Sequence, residues 1–469
     1  MPDAASGTPN RCSGLARAWR RSCSLRATVY ALLAVALLVV APWWYLLHQS
    51  RAMLQEELQR IEDAGEPMTL TEAAPKPVPA DENAADLYQQ VFNVSFTSSY
   101  GATSDLDATG YSETIEDEYL AGNVSEEFVR EVFEDPAVQQ ALETLRRASK
   151  RPHCVFPIDW SQGAAILFPH LSKMRQAARW LSARSKYAAA SGNIDEALDW
   201  CRVSLRISEH AAQEPTLIAQ LVAIAMQAIA AAQARETLDE GMPSPDVARQ
   251  MISYLRTIDR GSEFRRAMLG ERAIMLDTYQ QVREEPQDLA TWFGETDAMT
   301  WAARLYASPV GLPLFNADQT AYLRLMREQL ELLDTVPPSD GLYERLDDLG
   351  ESVPSTALIA RMMFPVFARS AQKRDAAIAE LDVFEVALAL KVYRQEHGEY
   401  PANISQLQAA VDYDLPPEVF TGKPLHYRRD GDGFVVWSLG KDLDDDGGHG
   451  PREPGYDWDD HDIVWKVTR

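Results

Sequence analysis

The chain has few cysteines and little positive charge for its length. Four cysteines occur in 469 residues, and no two of them have the Cys-x-x-Cys spacing of a redox or zinc site. Lys and Arg number 45 against 70 Asp and Glu, which gives a formal net charge of −25. Because nucleic-acid binding relies on basic surfaces, this charge argues against a nucleic acid as partner.

The sequence also lacks the short motifs of common enzyme classes. It contains no Gly-x-Ser-x-Gly, no His-Glu-x-x-His, no phosphate-binding Gly-Lys loop and no dinucleotide fingerprint. Ser-x-x-Lys occurs at Ser370 and Ser438 without the companion motifs of penicillin-recognising enzymes. One Pro-punctuated loop holds four polar side chains close together: His153, Cys154, Asp159 and Ser161. Since closeness in sequence is not triad geometry, we predict structural roles for them and no catalytic residue.

The positive charge that is present concentrates at the N-terminus. Residues 1–26 carry five arginines and one aspartate, a net of +4, so the remainder carries −29. The next 24 residues, up to Arg51, have no formal charge, which is long enough for a helix to cross a bilayer. Arginines before this stretch and three aromatic rings at 43–45 fit the positive-inside rule and the interfacial aromatic belt.

We therefore predict a cytoplasmic tail at 1–26 and a transmembrane signal anchor at 27–48, with the lipid bilayer as a partner. A cleaved signal peptide is the alternative, but Pro42 follows Ala41 at the one small-residue site. Beyond the anchor, apolar residues at helical spacing and then four prolines predict a stalk and Pro-rich linker at 49–80.

Residues 81–370 read as an α-helical domain. Apolar periodicity and Pro or Gly punctuation predict helices at 82–92, 125–149, 164–191, 194–212, 216–239, 244–258, 262–283, 316–334 and 355–396, the last with a break near Ser370. The turn at Gly192 resembles that of a tetratricopeptide hairpin, without a second copy at a 34-residue offset. The uncharged stretch Thr216 to Ala234 is membrane length, and its glutamines favour a buried bundle helix over a second span.

An acidic run near the C-terminus follows a strand-like segment, 434–439. With Asp442 as first ligand, Asp444, Asp446 and Gly447 fall at the third, fifth and sixth places of a calcium loop, and Glu453 falls at the twelfth. Carboxylates at this density repel one another unless a hard cation neutralises them. The spacing predicts calcium, on a β-hairpin or strand end, because Pro and Gly exclude a following helix. A solvated acidic turn is the alternative.

The residues around this loop follow a recognisable order. A long helix ends near Glu396 and runs into His397-Gly398-Glu399-Tyr400-Pro401; Thr421-Gly422-Lys423-Pro424 follows, and then the strand and acidic loop. This order resembles the globular domain of the major pseudopilins of type II secretion systems. It is also similar to bacterial single-pass envelope proteins that place this module after a helical body. We therefore assign 371–469 to a small α+β pseudopilin-like domain.

The resemblance implies calcium ligation by the loop, closed by a later acidic residue among Asp459, Asp460 and Asp462. The candidate metal ligands are Asp442, Asp444, Asp445, Asp446, Glu453, Asp460 and Asp462. No pseudopilin-type leader precedes Ala27, so pilus assembly does not follow from the resemblance.

The expected fold class is mainly α: a transmembrane helix, a bundle with a tetratricopeptide-like hairpin, and the α+β domain. The expected location is a bacterial inner membrane, with the N-terminus cytoplasmic and the body periplasmic. The expected role is non-enzymatic binding or scaffolding with an envelope protein partner and calcium. The alternative is a hydrolase-like envelope enzyme with a pocket between bundle and C-terminal domain, gathering His153, Asp159 or His170. A disulfide between Cys154 and Cys201 stays open.

Overall fold

A computed structural model describes residues 28, 30, 34–92, 95–97, 103–105, 119–122, 126–259, 261–285, 304–306, 308–450 and 461–467. These residues are mainly helical, with a small three-stranded sheet near the C-terminus. The expectation of a helical bundle followed by a small α+β region is therefore confirmed at this level.

Fourteen helices are bounded within the described residues. The first seven are α1 (Ala41–Asp63), α2 (Leu70–Ala73), α3 (Ala85–Val91), α4 (Glu126–Glu134), α5 (Pro136–Ala148), α6 (Pro169–Ala190) and α7 (Ile194–Ala212). The other seven are α8 (Leu217–Glu240), α9 (Pro245–Leu255), α10 (Ser262–Glu284), α11 (Leu312–Thr335), α12 (Leu342–Glu351), α13 (Leu358–His397) and α14 (Ile404–Ala410). Short 3-10 turns lie at Trp160–Ala165 and Pro338–Asp340.

Local capping explains where several helices begin. The Asp135 carboxylate accepts the backbone N–H of Ala137 at 2.8 Å, and Pro136 opens α5, so the helix predicted at 125–149 is two helices. Thr216 caps α8 and Ser244 caps α9 in the same way. Gly192, at a φ of +82°, turns the chain between α6 and α7, where its lack of a Cβ permits the left-handed conformation.

The predicted stalk and spacer belong to the packed body. A π-helical turn, Ala36–Val40, leads directly into α1, and Leu54 and Ile61 on α1 are buried in the same core as α11. Farther on, Glu66 pairs with the buried Arg272 at 2.6 Å, and Leu70 is fully buried. Residues 66–73, at the start of the predicted spacer, are therefore fixed against α10. These contacts are non-local and leave no periodicity in the sequence, so the sequence does not reveal them.

Helices α6, α7 and α8 form the centre of the bundle. The α6–α7 hairpin packs along its length, and α8 packs against both helices. Within the described part of the chain, α8 is the one helix that is long and apolar enough to cross a membrane by length and composition. Half of its most apolar 18-residue stretch is buried. The cores around it hold Trp180, Trp200 and Met226.

Helix α13 joins the bundle to the C-terminal region. It runs for 40 residues without a break, so the predicted boundary at 370/371 and the predicted break near Ser370 both fall inside one helix. Asp318 of α11 holds its start, accepting the backbone N–H groups of Ile359 at 2.9 Å and Ala360 at 3.0 Å. The buried Asp318 also accepts hydrogen bonds from the hydroxyl groups of Tyr279 and Tyr306.

The C-terminal sheet is antiparallel with order β3 (His426–Asp430), β4 (Gly433–Ser438) and β5 (Ile463–Val467). One face packs on α13, where the ring of Trp465 stacks on Phe384 at 4.8 Å between centroids. The other face carries Val435 and Trp437, which alternate with the α13-facing side chains as strand geometry requires. A separate ribbon pairs β1 (Ser95–Thr97) with β2 (Thr103–Asp105).

Candidate metal centre

The acidic loop leaves the central strand of the sheet and folds back over its outer face. Gly440, at a φ of +76°, makes the first turn, and a Cβ there would lie 2.8 Å from the carbonyl oxygen of His461. Gly448 closes the loop against the outer face, where a Cβ would lie 2.8 Å from the Val435 side chain. Only glycine fits at these two places, so the backbone fixes the acidic residues between them over the sheet.

Asp462, one residue before β5, is the buried acidic group of this region. Its side chain is fully buried, and Oδ2 accepts the backbone N–H of Gly448 at 2.8 Å. Its second oxygen, Oδ1, is buried with no hydrogen-bond partner among the described residues. Burial raises the pKa of Asp462 to about 6, since desolvation disfavours the charged form. A buried carboxylate oxygen without a donor is the kind of group that a cation satisfies.

Asp445 is held by the sheet. Its Oδ1 accepts the indole N–H of Trp437 at 3.0 Å and the backbone N–H of Gly447 at 2.9 Å. His426 Nδ1 lies 3.5 Å from Oδ2. Desolvation alone would raise the pKa of Asp445. The two hydrogen bonds and the neighbouring positive charges outweigh it and lower this pKa below its usual value. Asp445 is therefore an orienting group for the loop, with Oδ2 as its remaining acceptor.

The other loop carboxylates face solvent. Asp442 accepts the backbone N–H of Asp444 at 3.3 Å, which forms a turn, and Leu443 between them has a φ of +61°. Desolvation, with the charges of Asp444 and Asp446, raises the pKa of Asp442. Asp446 Oδ2 lies 3.7 Å from His461 Nδ1.

The structure brings some of the predicted ligands together. Asp442, Asp444, Asp445 and Asp446 share one loop, and Asp462 reaches that loop through Gly448. In the described part of the chain, no three His, Cys, Asp or Glu side chains are grouped closely enough to hold a metal ion. Glu453 and Asp460 lie outside the described residues. The candidate donors on this loop are carboxylate oxygens, which suit calcium better than a transition metal.

The residues considered for an enzyme site have structural partners instead. Asp159 is exposed and caps the 3-10 turn, accepting the hydroxyl of Ser161 at 2.6 Å; these hydrogen bonds lower its pKa. His153 Nε2 lies 4.0 Å from Glu82. Ser370 donates to the Val366 carbonyl at 2.7 Å, so its hydroxyl is engaged within α13.

A buried polar cluster joins α3, α6 and α7. His170 Nε2 lies 2.6 Å from Glu214 Oε1, and the His170 ring stacks on Phe156 at 4.1 Å. His210 Nδ1 lies 2.6 Å from the hydroxyl of Tyr88, and burial lowers the pKa of His210 to about 3. His210 Nε2 also lies 2.9 Å from the carbonyl oxygen of Arg151, so both imidazoles are held by internal partners.

Cys154 and Cys201 are both free and buried. No disulfide joins Cys154 and Cys201, so the disulfide left open by the sequence is not formed. Burial, with the charge of Glu214, raises the pKa of the Cys154 thiol, and burial raises that of Cys201 to about 12. A thiol with a raised pKa is a poor nucleophile at neutral pH.

Sequence reasoning missed Glu418, which organises the turn before β3. Its buried carboxylate accepts the hydroxyls of Ser438, at 2.7 Å, and Thr421, at 2.5 Å, and the backbone N–H of Phe420. The available signal was Thr421 three residues after an acid, in a segment with two prolines.

Comparison with known proteins gives no relative for this chain: no family model, no curated protein and no solved structure matches it.

Proposed function

We propose that the chain is a single-pass, membrane-anchored envelope protein, non-enzymatic, whose outer body binds or scaffolds a partner and whose C-terminal module is stabilised by calcium. The observation that carries the proposal is the apolar helical end before α1. Val35 and Leu37 to Val40 are all more than half exposed there, on a helix that continues into the packed core. Such a surface is unfavourable in water and suits hydrocarbon.

The end of this helix is marked by aromatic side chains and by the body itself. Trp44 and Tyr45 are exposed, and the indole N–H of Trp43 donates to the carbonyl oxygen of Val310 at 3.0 Å. Val310 and Leu314, just before and within α11, are exposed apolar residues beside this contact. These residues support a body that rests close to the bilayer, with rings at the level of the headgroups.

The C-terminal module supports the second half of the proposal. Its helical stem, α13, leads into an antiparallel sheet with an acidic loop after the central strand, an arrangement in keeping with the pseudopilin likeness. The buried Asp462 Oδ1 makes no hydrogen bond to a described residue, which favours a cation beside it. Asp159 and His170, which were weighed for an enzyme, are engaged in internal hydrogen bonds, and this supports a binding or scaffolding role.

The anchor is tested by fractionation and by labelling in intact bacterial cells. Cys12 and Cys23 are replaced by Ser, and one new cysteine is introduced as Ser6→Cys or Asp430→Cys. We expect the chain in the membrane fraction after alkaline carbonate extraction. A membrane-impermeant maleimide should label the Asp430→Cys chain once the outer membrane is opened, and the Ser6→Cys chain only after lysis.

The matched variant is Leu37→Lys with Leu38→Lys, which places two charges in the apolar end without touching the packed part of α1. We expect this variant in the soluble fraction, because each charge at the centre of a span costs about 3 kcal/mol. Recovery of the unaltered chain in the carbonate-soluble fraction, or labelling of Ser6→Cys in unlysed cells, would contradict the proposed anchor and its orientation.

A further inference from the structure

A cleft lies where the helical bundle meets the C-terminal module. Its volume is about 450 Å³. Helices α6 and α8 of the bundle and the stem helix α13 form one side, and Phe420, Lys441 and Ile463, which follow α13 in the chain, close the other side. None of the catalytic candidates of the sequence, and no acidic loop residue, lines it.

The floor of the cleft is an apolar row on α8. The row comprises Leu221, Ile224, Ala225, Ala228 and Ile229. This spacing places them on one face of the helix, and each is partly exposed although the helix runs through the centre of the bundle. Only half of the most apolar 18-residue stretch of α8 is buried within the protein. Part of the remaining apolar surface faces the cleft. The floor suits an aliphatic or aromatic ligand body.

The rim of the cleft is cationic. Five basic side chains line it: Arg175, Arg179, Arg369, Lys373 and Lys441. The one acidic lining residue is Glu380, which is buried. The whole chain has a net charge of −25, but this cleft is lined by five basic side chains and one acidic side chain. The local charge of the cleft is therefore opposite in sign to that of the chain. Gathered like charges repel, and an anion among them lowers the free energy.

Three of these cations form no ion pair with any residue that the structure describes. Arg175, Arg369 and Lys373 are exposed at the cleft, and no ion pair joins them to an acidic side chain of the described residues. The Nε–H group of Arg369 donates to the Pro365 carbonyl oxygen within α13, at 3.3 Å. Their guanidinium and ammonium groups are therefore available for an acidic headgroup.

We propose that this cleft binds an amphipathic organic anion, whose apolar chain lies on the α8 floor and whose carboxylate or phosphate lies among the rim cations. Both halves of the cleft are needed for this ligand, since the floor has no partner for a purely polar ion and the rim repels a cationic amphiphile. A membrane lipid with an acidic headgroup and a soluble acid with an aliphatic chain share this chemistry.

The test uses the full chain in nanodiscs of zwitterionic lipid, titrated calorimetrically with decyl phosphate and with decanoate. Empty nanodiscs provide the blank. Decyltrimethylammonium, decyl maltoside and inorganic phosphate are the comparison probes. We expect saturable binding of the two anionic amphiphiles, and at least tenfold weaker binding of the other three.

Two variants test the two halves separately. Arg369→Gln with Lys373→Gln removes rim charge at exposed positions, and Ala228→Phe fills the floor. We expect each to weaken decyl phosphate binding by about tenfold, in line with the loss of two charge-assisted contacts or of the apolar site. The control, Arg345→Gln with Arg361→Gln, removes two exposed arginines outside the cleft, and should leave binding within about twofold. Thermal melts show whether each variant is folded.

Native mass spectrometry of the chain extracted in neutral detergent identifies the source of the ligand. A co-purifying acidic lipid that is lost in Arg369→Gln with Lys373→Gln supports the proposal with a membrane source. Saturable binding of the anionic probes without a co-purifying lipid supports a soluble acid. Equal binding of the cationic and anionic amphiphiles, or binding by the folded rim and floor variants that matches the unaltered chain, would overturn it.

Discussion

Glu57 of α1 accepts a hydrogen bond from the Arg324 guanidinium of α11 at 2.9 Å, across 267 positions of the sequence. The carboxylate is buried, while Arg324 and its neighbour Arg327, which also reaches Glu57, are partly exposed. This pairing ties the helix that leaves the proposed membrane anchor to the body. A rigid connection of this kind restricts how the body can orient relative to the proposed anchor.

Replacing Glu57 by Ala should lower the stability of the full chain. The change leaves the arginines without their shared acceptor and opens a cavity between α1 and α11, and we expect a loss of about 2–4 kcal/mol in the free energy of unfolding. Thermal melting in neutral detergent measures it. The control is Glu56→Ala, which removes an exposed partner of Arg60 on the same helix and should change little. Equal melting temperatures for the two variants would contradict the role assigned to Glu57.

A second prediction concerns the contact between α10 and the turn before α8. Gly270 of α10 lies so close to Pro215 that a Cβ would be 1.8 Å from the Pro215 carbonyl oxygen. Gly270→Ala must push the helix away from backbone, and we expect a loss of about 3 kcal/mol in unfolding free energy. Gly261→Ala is the matched control, since a Cβ there meets nothing within 4 Å. A Gly270→Ala chain as stable as the Gly261→Ala chain would show that this helix approach is looser than described.

The regular elements were accessible from the sequence because their signals are local. Gly192 and Thr216 each act on the turn that contains them, and the structure places helix boundaries at both. Asp135-Pro136 is a local signal of the same kind, but the single helix predicted over 125–149 ran through it. The misplaced boundaries have non-local causes. Residues 49–80 read as stalk and spacer, because nothing within them reveals the arginines of α10 and α11 that hold Glu57 and Glu66.

The sites divide in the same way. The acidic loop could be predicted because its carboxylates lie close together in the sequence. The burial of Asp462 could not, because it depends on the loop folding back so that Gly448 contacts the Asp462 side chain. A pocket between the bundle and the C-terminal domain was expected only in the alternative reading, and the residues named for it, His153, Asp159 and His170, do not line this cleft. Its rim residues lie between positions 175 and 441, and the apolar floor on α8 reads in sequence as an ordinary bundle helix. Only the packing of the C-terminal module against the bundle brings these residues to one place.

A third prediction follows from Glu380, which is buried beside the cleft on α13. Burial raises its pKa from 4.5 to about 7, an effect that Arg235 only partly offsets. Because the native state holds this proton more tightly than the unfolded chain, the contribution of Glu380 to stability falls as the pH rises from 4.5 to 7 and stays low above that. Glu380→Gln should therefore stabilise the chain by about 1–3 kcal/mol at pH 8.

The same substitution should have little effect near pH 4, where Glu380 is protonated in both states. Chemical denaturation of the full chain at pH 4 and pH 8 gives the comparison. Glu396→Gln on the same helix is the control, because Glu396 is exposed and pairs with Arg249 at the surface. A stabilisation by Glu380→Gln that is equal at the two pH values would rule out the raised pKa as its cause.

The fourth prediction tests calcium at the C-terminal module. A cation that satisfies Asp462 Oδ1 and the loop carboxylates binds the folded chain alone, so calcium should raise the melting temperature of the full chain and a chelator should lower it. At a calcium concentration 100 times the dissociation constant the gain is about 2.7 kcal/mol. Magnesium should be less effective, since it demands a tighter octahedral set of ligands.

Asp462→Asn separates calcium binding from general charge screening. The amide keeps an acceptor for Gly448 N–H but loses the charge, so we expect a folded chain whose melting no longer depends on calcium. Asp430→Asn, at an exposed aspartate 3.7 Å from Lys466 on the same sheet, is the control and should keep the full calcium response. Screening of the acidic surface would act on both variants alike, so a calcium response that persists in Asp462→Asn, or is absent from the unaltered chain, removes the metal from the module.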